Sequence, residues 1–384
     1  DEKTGKIPAN TLLIVEILEE HLKREPMHPG LCHMYVHAME LSPSPEKALS
    51  VADRLFHNGG LVPASGHLIH MASHIDMWVG QYARAVEGNR LAFEADERYV
   101  KVSKHDGGIY LAYRMHNLHF LVWAAMFDGQ YETARKYSLE IKKQLSEDKL
   151  EESGMAVYLE GFVLTYLMVL TRFGRWKEIL AEPIPKNSKV FPALIAATHY
   201  ARGVAYSAMG NVKRALEEEK IFLTCIQSDL VQNRVLHNNI FYHREGTVGI
   251  FNVGEMLLRG EILYRQGRYV EAFKALREAV VRDDDLNYDE PWGWMQPCRH
   301  ALGALLTEQK CFKEAKEVFE TDLKKWKRNL WSLKGLATCE KALGNKKRAL
   351  QLESEFKVAA KRLDVGIGAA CACAINGTKN ICRR

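Results

Sequence analysis

Along most of the chain apolar residues recur every three or four positions, in stretches of a dozen residues or more, which is the period of an amphipathic helix. Period-two alternation, the mark of a half-buried strand, is negligible. The apolar stretches come in pairs around a short turn: glycine, any residue, a bulky residue, two more, then alanine. It reads Gly80-Gln81-Tyr82 with Ala85, Gly129-Gln130-Tyr131 with Ala134, and Gly267-Arg268-Tyr269 with Ala272. Looser copies are Gly174-Arg175-Trp176, Gly210-Asn211-Val212 with Ala215, Lys310-Cys311-Phe312 with Ala315, and Gly344-Asn345-Lys346 with Ala349; Pro43 to Ala48 is a degenerate eighth. The marks fall at 43, 80, 129, 174, 210, 267, 310 and 344, at intervals of 37, 49, 45, 36, 57, 43 and 34 residues. Glycine ends the first helix of each pair and the small alanine lets the second pack closely against it, so the pattern predicts helix-turn-helix repeats and no sheet.

The recurrent Gly-x-Tyr-x-x-Ala resembles the tetratricopeptide repeat, over nearly the whole chain. The resemblance implies an all-α, right-handed α-solenoid occupying residues 1–365 as a single array. Residues 1–26 then form the orphan second helix of a repeat whose first helix is missing. Its apolar face, with Leu12 or Ile14 and Leu18, is expected to be uncovered. Residues 27–140 hold the histidine-rich repeats, and residues 366–384 read as a flexible Gly/Ala/Cys-containing tail. The longest interval contains a polar insertion, Gln227 to Gly249, with Asn238, Asn239, His243, Arg244 and Glu245. It is either a long connection or a segment reaching into the groove.

Histidine is the residue type that breaks the monotony. His67, His70 and His74 stand at i, i+3 and i+7, His33 and His37 at i, i+4, and His116 and His119 at i, i+3, so each set shares one helical face. Counted back from the turn marks, His33, His70 and His119 stand ten residues before, His37 and His74 six, and His67 and His116 thirteen. In tetratricopeptide arrays the positions thirteen, ten, six and three before the turn glycine face the concave groove; here the three-before set is Glu40, Met77 and Met126. The fourth unit carries Leu164 and Met168 instead, which confines the column to one end. First helices roughly 8–10 Å apart would let imidazoles meet between them. A lone histidine is more often a hydrogen-bonded or surface residue than a ligand, but seven in matching registers point to a divalent transition metal: zinc, iron or manganese. Three or four would be direct ligands and the others would orient or bind substrate. Glu40 completes His33-x3-His37-x2-Glu40 as a ligand or base, or is an ordinary helix-end acid; Asp76 is expected to point elsewhere. Groove-lining contacts with a peptide are the competing reading of the same column.

A second constellation lies at Leu286 to Arg299, where Asp289, Glu290, Trp292 and Trp294 stand between Pro291 and Pro297. It is either a packing device that seals the interior with tryptophan, or a substrate or partner edge carrying Asp289, Glu290, Trp294 and Arg299. His28-Pro29-Gly30 with His33 and His37, the segment from Gly66 to His74, and Tyr288-Asp289-Glu290-Pro291 with Trp294, Pro297 and Arg299 together resemble a family of uncharacterised bacterial and fungal tetratricopeptide-repeat proteins, from Ile7 to about Leu343. More distantly, His67-x2-His70-x3-His74 and His116-Asn117-x-His119 are similar to motifs of the tetratricopeptide repeat protein 38 family. Neither resemblance supplies an established reaction, and members of the first carry further repeats ahead of the position of Asp1.

Composition narrows the function without naming it. The net charge of +5 over 384 residues is spread along the chain, which points to neither nucleic acid nor an anionic membrane. Eight scattered cysteines make no CxxC pair, so a structural zinc site and a disulfide framework are not expected, and a cytoplasmic, reducing compartment is the default. No apolar run approaches the roughly 20 residues of a membrane span. The chain begins at Asp1 without methionine and reads as a cut end. Asn376-Gly377-Thr378 matches a glycosylation sequon, a weak motif. No Ser/His/Asp spacing, Walker loop or dinucleotide fingerprint offers rival chemistry. The expectation is a repeat protein whose groove binds a metal, acting as a metal-dependent hydrolase or oxygenase on a small substrate if it is an enzyme. The alternative is a non-enzymatic scaffold holding a peptide or protein partner in that groove.

Overall fold

The computed structural model describes residues 7–56 and 60–377. It is all-α, built of tetratricopeptide-like helical hairpins. At Gly80, Gly129, Gly174, Gly210, Gly267 and Gly344 the backbone enters the left-handed region, with φ between 65° and 85°, and Lys310 does the same at 61°. After each of these seven residues the next N–H donates to the carbonyl five positions back, as from Gln81 to Asp76 and from Cys311 to Leu306, at 2.8–3.0 Å. This reverse bond satisfies a carbonyl that the helix end would otherwise strand. Ala85, Ala134, Ala215, Ala272, Ala315 and Ala349, each five residues past a turn mark, are no more than 3% exposed, because the second helix crosses its partner there.

The chain divides into two compact units, one ending at Ala124 and the other beginning at Ala125. In the first, α1 (Ala9–Arg24) packs on α2 (Pro29–Glu40), and α3 (Leu49–Phe56) follows a short 3-10 turn at Pro45–Ala48. Next come α4 (Gly66–His70), α5 (Ala72–Val79) and α6 (Tyr82–Ser103), then α7 (Gly108–Asp128), whose residues as far as Ala124 belong to this unit. One core joins Leu18 and Leu22 of α1 to Cys32, Tyr35 and Val36 of α2, Ala52 and Leu55 of α3, and Ala72 and Ile75 of α5. Leu12, Leu13, Ile14 and Ile17 of α1 are about half exposed; Leu18, expected on that face, lies 8% exposed in the core instead. The single helix expected to carry His67, His70 and His74 is interrupted at Met71, where His74 N donates only three residues back, to Met71 O, at 3.3 Å.

In the second unit the hairpins include Thr165–Arg172 with Trp176–Ala181, Pro192–Ala208 with Val212–Ile226, Ile250–Arg265 with Tyr269–Asp284, Cys298–Glu308 with Phe312–Lys325, and Leu330–Ala342 with Lys346–Ala359. A two-stranded antiparallel ladder, Val235–Leu236 with Asn239–Ile240, sits in the polar insertion; so short a hairpin leaves no periodic trace. Ala370, Ala372, Cys373 and Ala374, in the segment expected to be a flexible tail, are buried, and Arg265 donates to Cys373 O at 2.6 Å. Cys371 and Cys373 are joined as a disulfide. The sequon at Asn376 extends past the described residues. Among these, no helix is long and apolar enough to cross a membrane.

Candidate metal centre

Three pieces of backbone bring the imidazoles together. On α2, His33, His37 and Glu40 occupy one face, and His28 caps the helix start by accepting the Leu31 N–H at its Nδ1 (3.2 Å). His67 and His70 come from α4, His74 from α5 and His116 from α7. Six rings close a loop: the centroid distance is 4.9 Å from His33 to His37, 5.0 Å on to His74, 4.7 Å to His70, 4.6 Å to His116, 6.2 Å to His67, and 5.3 Å back to His33. Phe120 lies against His70 and His74 with centroids at 4.9 and 4.8 Å. His70 and His74 are at most 1% exposed and His116 is 9% exposed, whereas His37 keeps about a third of its side chain in solvent.

The hydrogen bonds behind the rings define their tautomers. Asn89, on α6, donates from Nδ2 to Ala85 O at 2.8 Å, which leaves its Oδ1 to accept from His70 Nδ1 at 2.6 Å. Glu40 accepts from His74 Nδ1 through Oε2 (2.6 Å) and from His37 Nδ1 through Oε1 (2.8 Å). Burial would raise the Glu40 carboxyl, but the charge of His74 and the two histidine hydrogen bonds more than offset it and hold its pKa at about 2. With the Nδ1 atoms of His70 and His74 turned to Asn89 and Glu40, their Nε2 atoms face each other at 2.7 Å; His116 Nε2 lies 3.0 Å from that of His70. Two lone pairs so placed repel unless a cation lies between them, either a proton carried by His74 beside the Glu40 carboxylate or a metal ion. A proton is a poor candidate at His70, where burial first, then His74 and His67, drives the imidazole well below its usual range. Burial, reinforced by neighbouring imidazoles, likewise takes His33 to about 4 and His67 to about 3.

Donor atoms within 4.8 Å of one another occur in His67, His70 and His116, in His33, His37 and His67, and in His37, Glu40 and His74. His33 Nε2 and His67 Nδ1 are buried with no hydrogen-bond partner among the described residues. His119, counted with the others by its register, is 1% exposed but joins none of these groups. Asp76 turns away, its Oδ2 accepting from Arg84 Nε at 3.1 Å. Asn89 was not singled out in the sequence. The signal was available: it is a polar residue in the buried stripe Tyr82, Ala85, Asn89, Ala92 of α6, spaced for a helical face.

The second constellation lies within the other unit. Asp289 is 3% exposed and accepts from Asn239 Nδ2 at 2.8 Å, while Asn238 and Asn239 also donate to the carbonyls of Tyr288 and Asn287, so the segment clasps the inserted hairpin. Trp294 is 2% exposed and fills the space over Gly254, where a Cβ would fall 2.8 Å from its ring. Arg299 donates to both carboxylate oxygens of Asp284, and Glu290 is half-buried. In Asp289, Trp294 and Arg299 the packing role is the visible one.

No protein-family model matches the chain, and no curated protein does. Solved structures similar to it include a human IFIT1 dimer with m7Gppp-AAAA, at 15% identity and a TM-score of 0.35, covering 92% of this chain and 69% of that one. A monomeric IFIT1 mutant, also with m7Gppp-AAAA, aligns at 14% identity and 0.36 over 91% of this chain and 67% of its own. The TPR domain of P58(IPK) aligns at 13% and 0.22, over 92% and 94%. Likeness at this level carries no argument about this chain's site or ligand.

Proposed function

We propose that this repeat protein binds a divalent transition metal in the imidazole loop of its first unit. The observation that carries the reading is the pair of facing Nε2 atoms of His70 and His74, whose opposite nitrogens are committed to Asn89 and Glu40. A histidine ligand whose second ring nitrogen is pinned by a carboxylate or amide oxygen is the usual arrangement around protein-bound metals. Zinc holds imidazole nitrogens at about 2.0–2.1 Å, which sets two of them roughly 3.3 Å apart in a tetrahedron, so the present 2.7 and 3.0 Å need only a small opening. The buried Nε2 of His33 and Nδ1 of His67, which have no hydrogen-bond partner among the described residues, support the same reading, since buried polar atoms ordinarily find partners. Zinc, iron and manganese all suit such a nitrogen-rich set. Glu40 acts as an orienting carboxylate, because both its oxygens already serve imidazoles.

Burial of His70 and His74 argues against their use as peptide contacts in an open groove. His37, at the exposed side of the loop, leaves a way in for a small substrate, and a bound metal there would supply Lewis-acid activation of water or oxygen. The test is the metal content of the full chain after loading with zinc, iron(II) or manganese(II) and desalting. We expect at least one ion per chain, lost in the double variant His70→Ala, His74→Ala with helical circular dichroism retained. Wild-type protein that stays empty with all three metals overturns the reading, as does undiminished loading of the double variant.

A further inference from the structure

Next to the imidazole loop the first unit holds a cavity of about 590 Å³, open mouth included, that the metal reading does not use. Its walls are the rings of Tyr99, Tyr110, Tyr113 and His67, with Asp96 and the stretch 64–66 completing it. Tyr99 and Tyr110 stand edge to face at 4.8 Å, and Tyr113 lies 5.0 Å from His67. Asp96 is 2% exposed; Tyr110 Oη donates to its Oδ1 at 2.9 Å and Asn117 Nδ2 to its Oδ2 at 2.8 Å. A Cβ on Gly66 would fall 2.2 Å from Asp96 Oδ1, so only glycine there lets the carboxylate sit so close behind the wall.

The charge balance of this lining is one-sided. Among the described residues it contains a carboxylate and no lysine or arginine; the nearby Arg114 pairs with Glu97, and its charge also reaches Asp96 from behind the wall. Aromatic faces carry negative potential and attract cations, most strongly alkylated ammonium ions that shed water readily. We propose that the cavity formed by Tyr99, Tyr110, Tyr113 and Asp96 binds a small alkylammonium ion. The tyrosine faces surround the alkyl groups, and Asp96 supplies the counter-charge. Tyr99 and Tyr113, 46% and 45% exposed, form the entrance, while Tyr110 is held to Asp96. Nothing in this argument requires a metal, so the two sites are tested separately.

The experiment titrates the full chain, in excess chelator, with choline, with tetramethylammonium, and with 3,3-dimethylbutanol, the neutral isostere of choline, followed by calorimetry. Choline and tetramethylammonium are expected to bind saturably, and the isostere at least tenfold more weakly. Tyr99→Leu and Tyr113→Leu should each weaken choline binding by roughly two- to thirtyfold, the range of a single cation–aromatic contact, whereas Tyr99→Phe keeps the ring face and should bind as wild type. A trimethyllysine peptide in place of choline separates the two sources of such a group: tighter binding assigns the cavity to a modified side chain, weaker binding to a free ion. Absence of saturable binding by either probe, equal binding of the isostere, or Tyr99→Leu and Tyr113→Leu variants that bind as wild type would overturn the proposal. Because chelator is present throughout, failure here leaves the metal reading standing, and an empty metal site leaves this one standing.

Discussion

Glu40 orients two imidazoles at once, and that makes it the most informative single residue of the loop. Glutamine at this position keeps the shape but replaces one acceptor oxygen by a donor, which must face His37 Nδ1 or His74 Nδ1. The ring so addressed has to move its proton to Nε2, where a metal would bind. Glu40→Gln should therefore lower metal affinity about ten- to hundredfold, the usual cost of losing an orienting partner, with the helical signal unchanged. Competition against a colorimetric chelator measures it, and equal affinity of the two proteins would remove Glu40 from the account. At this scale the sequence disclosed the histidines and Glu40 through spacing alone. It did not disclose Asn89, because the partner of His70 lies nineteen residues away on a second helix and no local pattern ties the two together. Nor did register separate His116, which joins the loop, from His119, three residues on, which does not.

Single helices end where a residue in the left-handed region returns the chain, and the seven turn residues differ in how well they suit that conformation. Six are glycine, while Lys310 takes the same backbone at φ 61° with a side chain attached. For a residue with a Cβ this region costs roughly 1–2 kcal/mol, so Lys310→Gly should raise the stability of the fold by up to about 1 kcal/mol after the greater chain entropy of glycine is deducted. Gly129→Ala should act in the opposite sense by about 1–2 kcal/mol, since its φ is 73° and the added methyl would lie 2.1 Å from the Leu363 side chain. Urea titrations of the two variants check both signs. The turns were legible from glycine and alanine spacing because the same local geometry recurs. The interruption at Met71 was not, since Met71 lies inside an unbroken apolar pattern with neither glycine nor proline to mark it. The inserted hairpin escaped for a related reason: its strands are two residues long and are held by its own Asn238 and Asn239 side chains donating to the carbonyls of a distant segment.

For the chain as a whole, pH acts through two opposed sets of buried groups. Burial raises Asp289 to about 8 and Glu261 to about 7, so the folded protein keeps protons that the unfolded chain, with ordinary values of 3.8 and 4.5, has already lost. Their contribution is whole below about pH 4 and disappears as pH climbs through 7 and 8. Burial lowers His33 to about 4 and His67 to about 3 against an ordinary 6.5; their contribution is present above 6.5 and disappears as pH falls toward 3. Metal-free protein should therefore lose stability as pH rises from 6.5 to 8.5, and Asp289→Asn should flatten that limb; melting curves in chelator across this range decide it. A bound ion would add a steep acid limb, because protons and metal compete for the same nitrogens. The all-helical repeat was legible at this scale because each turn repeats the last, whereas the electrostatics were not, because burial is a property of the assembled chain. One consequence follows for protein design. Each of the six rings and Glu40 is specified by a count backward from a turn residue, and Asn89 by a count forward from one. The loop is thus written in a coordinate system that any array of idealised hairpins shares, and eight substitutions across three consecutive repeats are an address list for transplanting it.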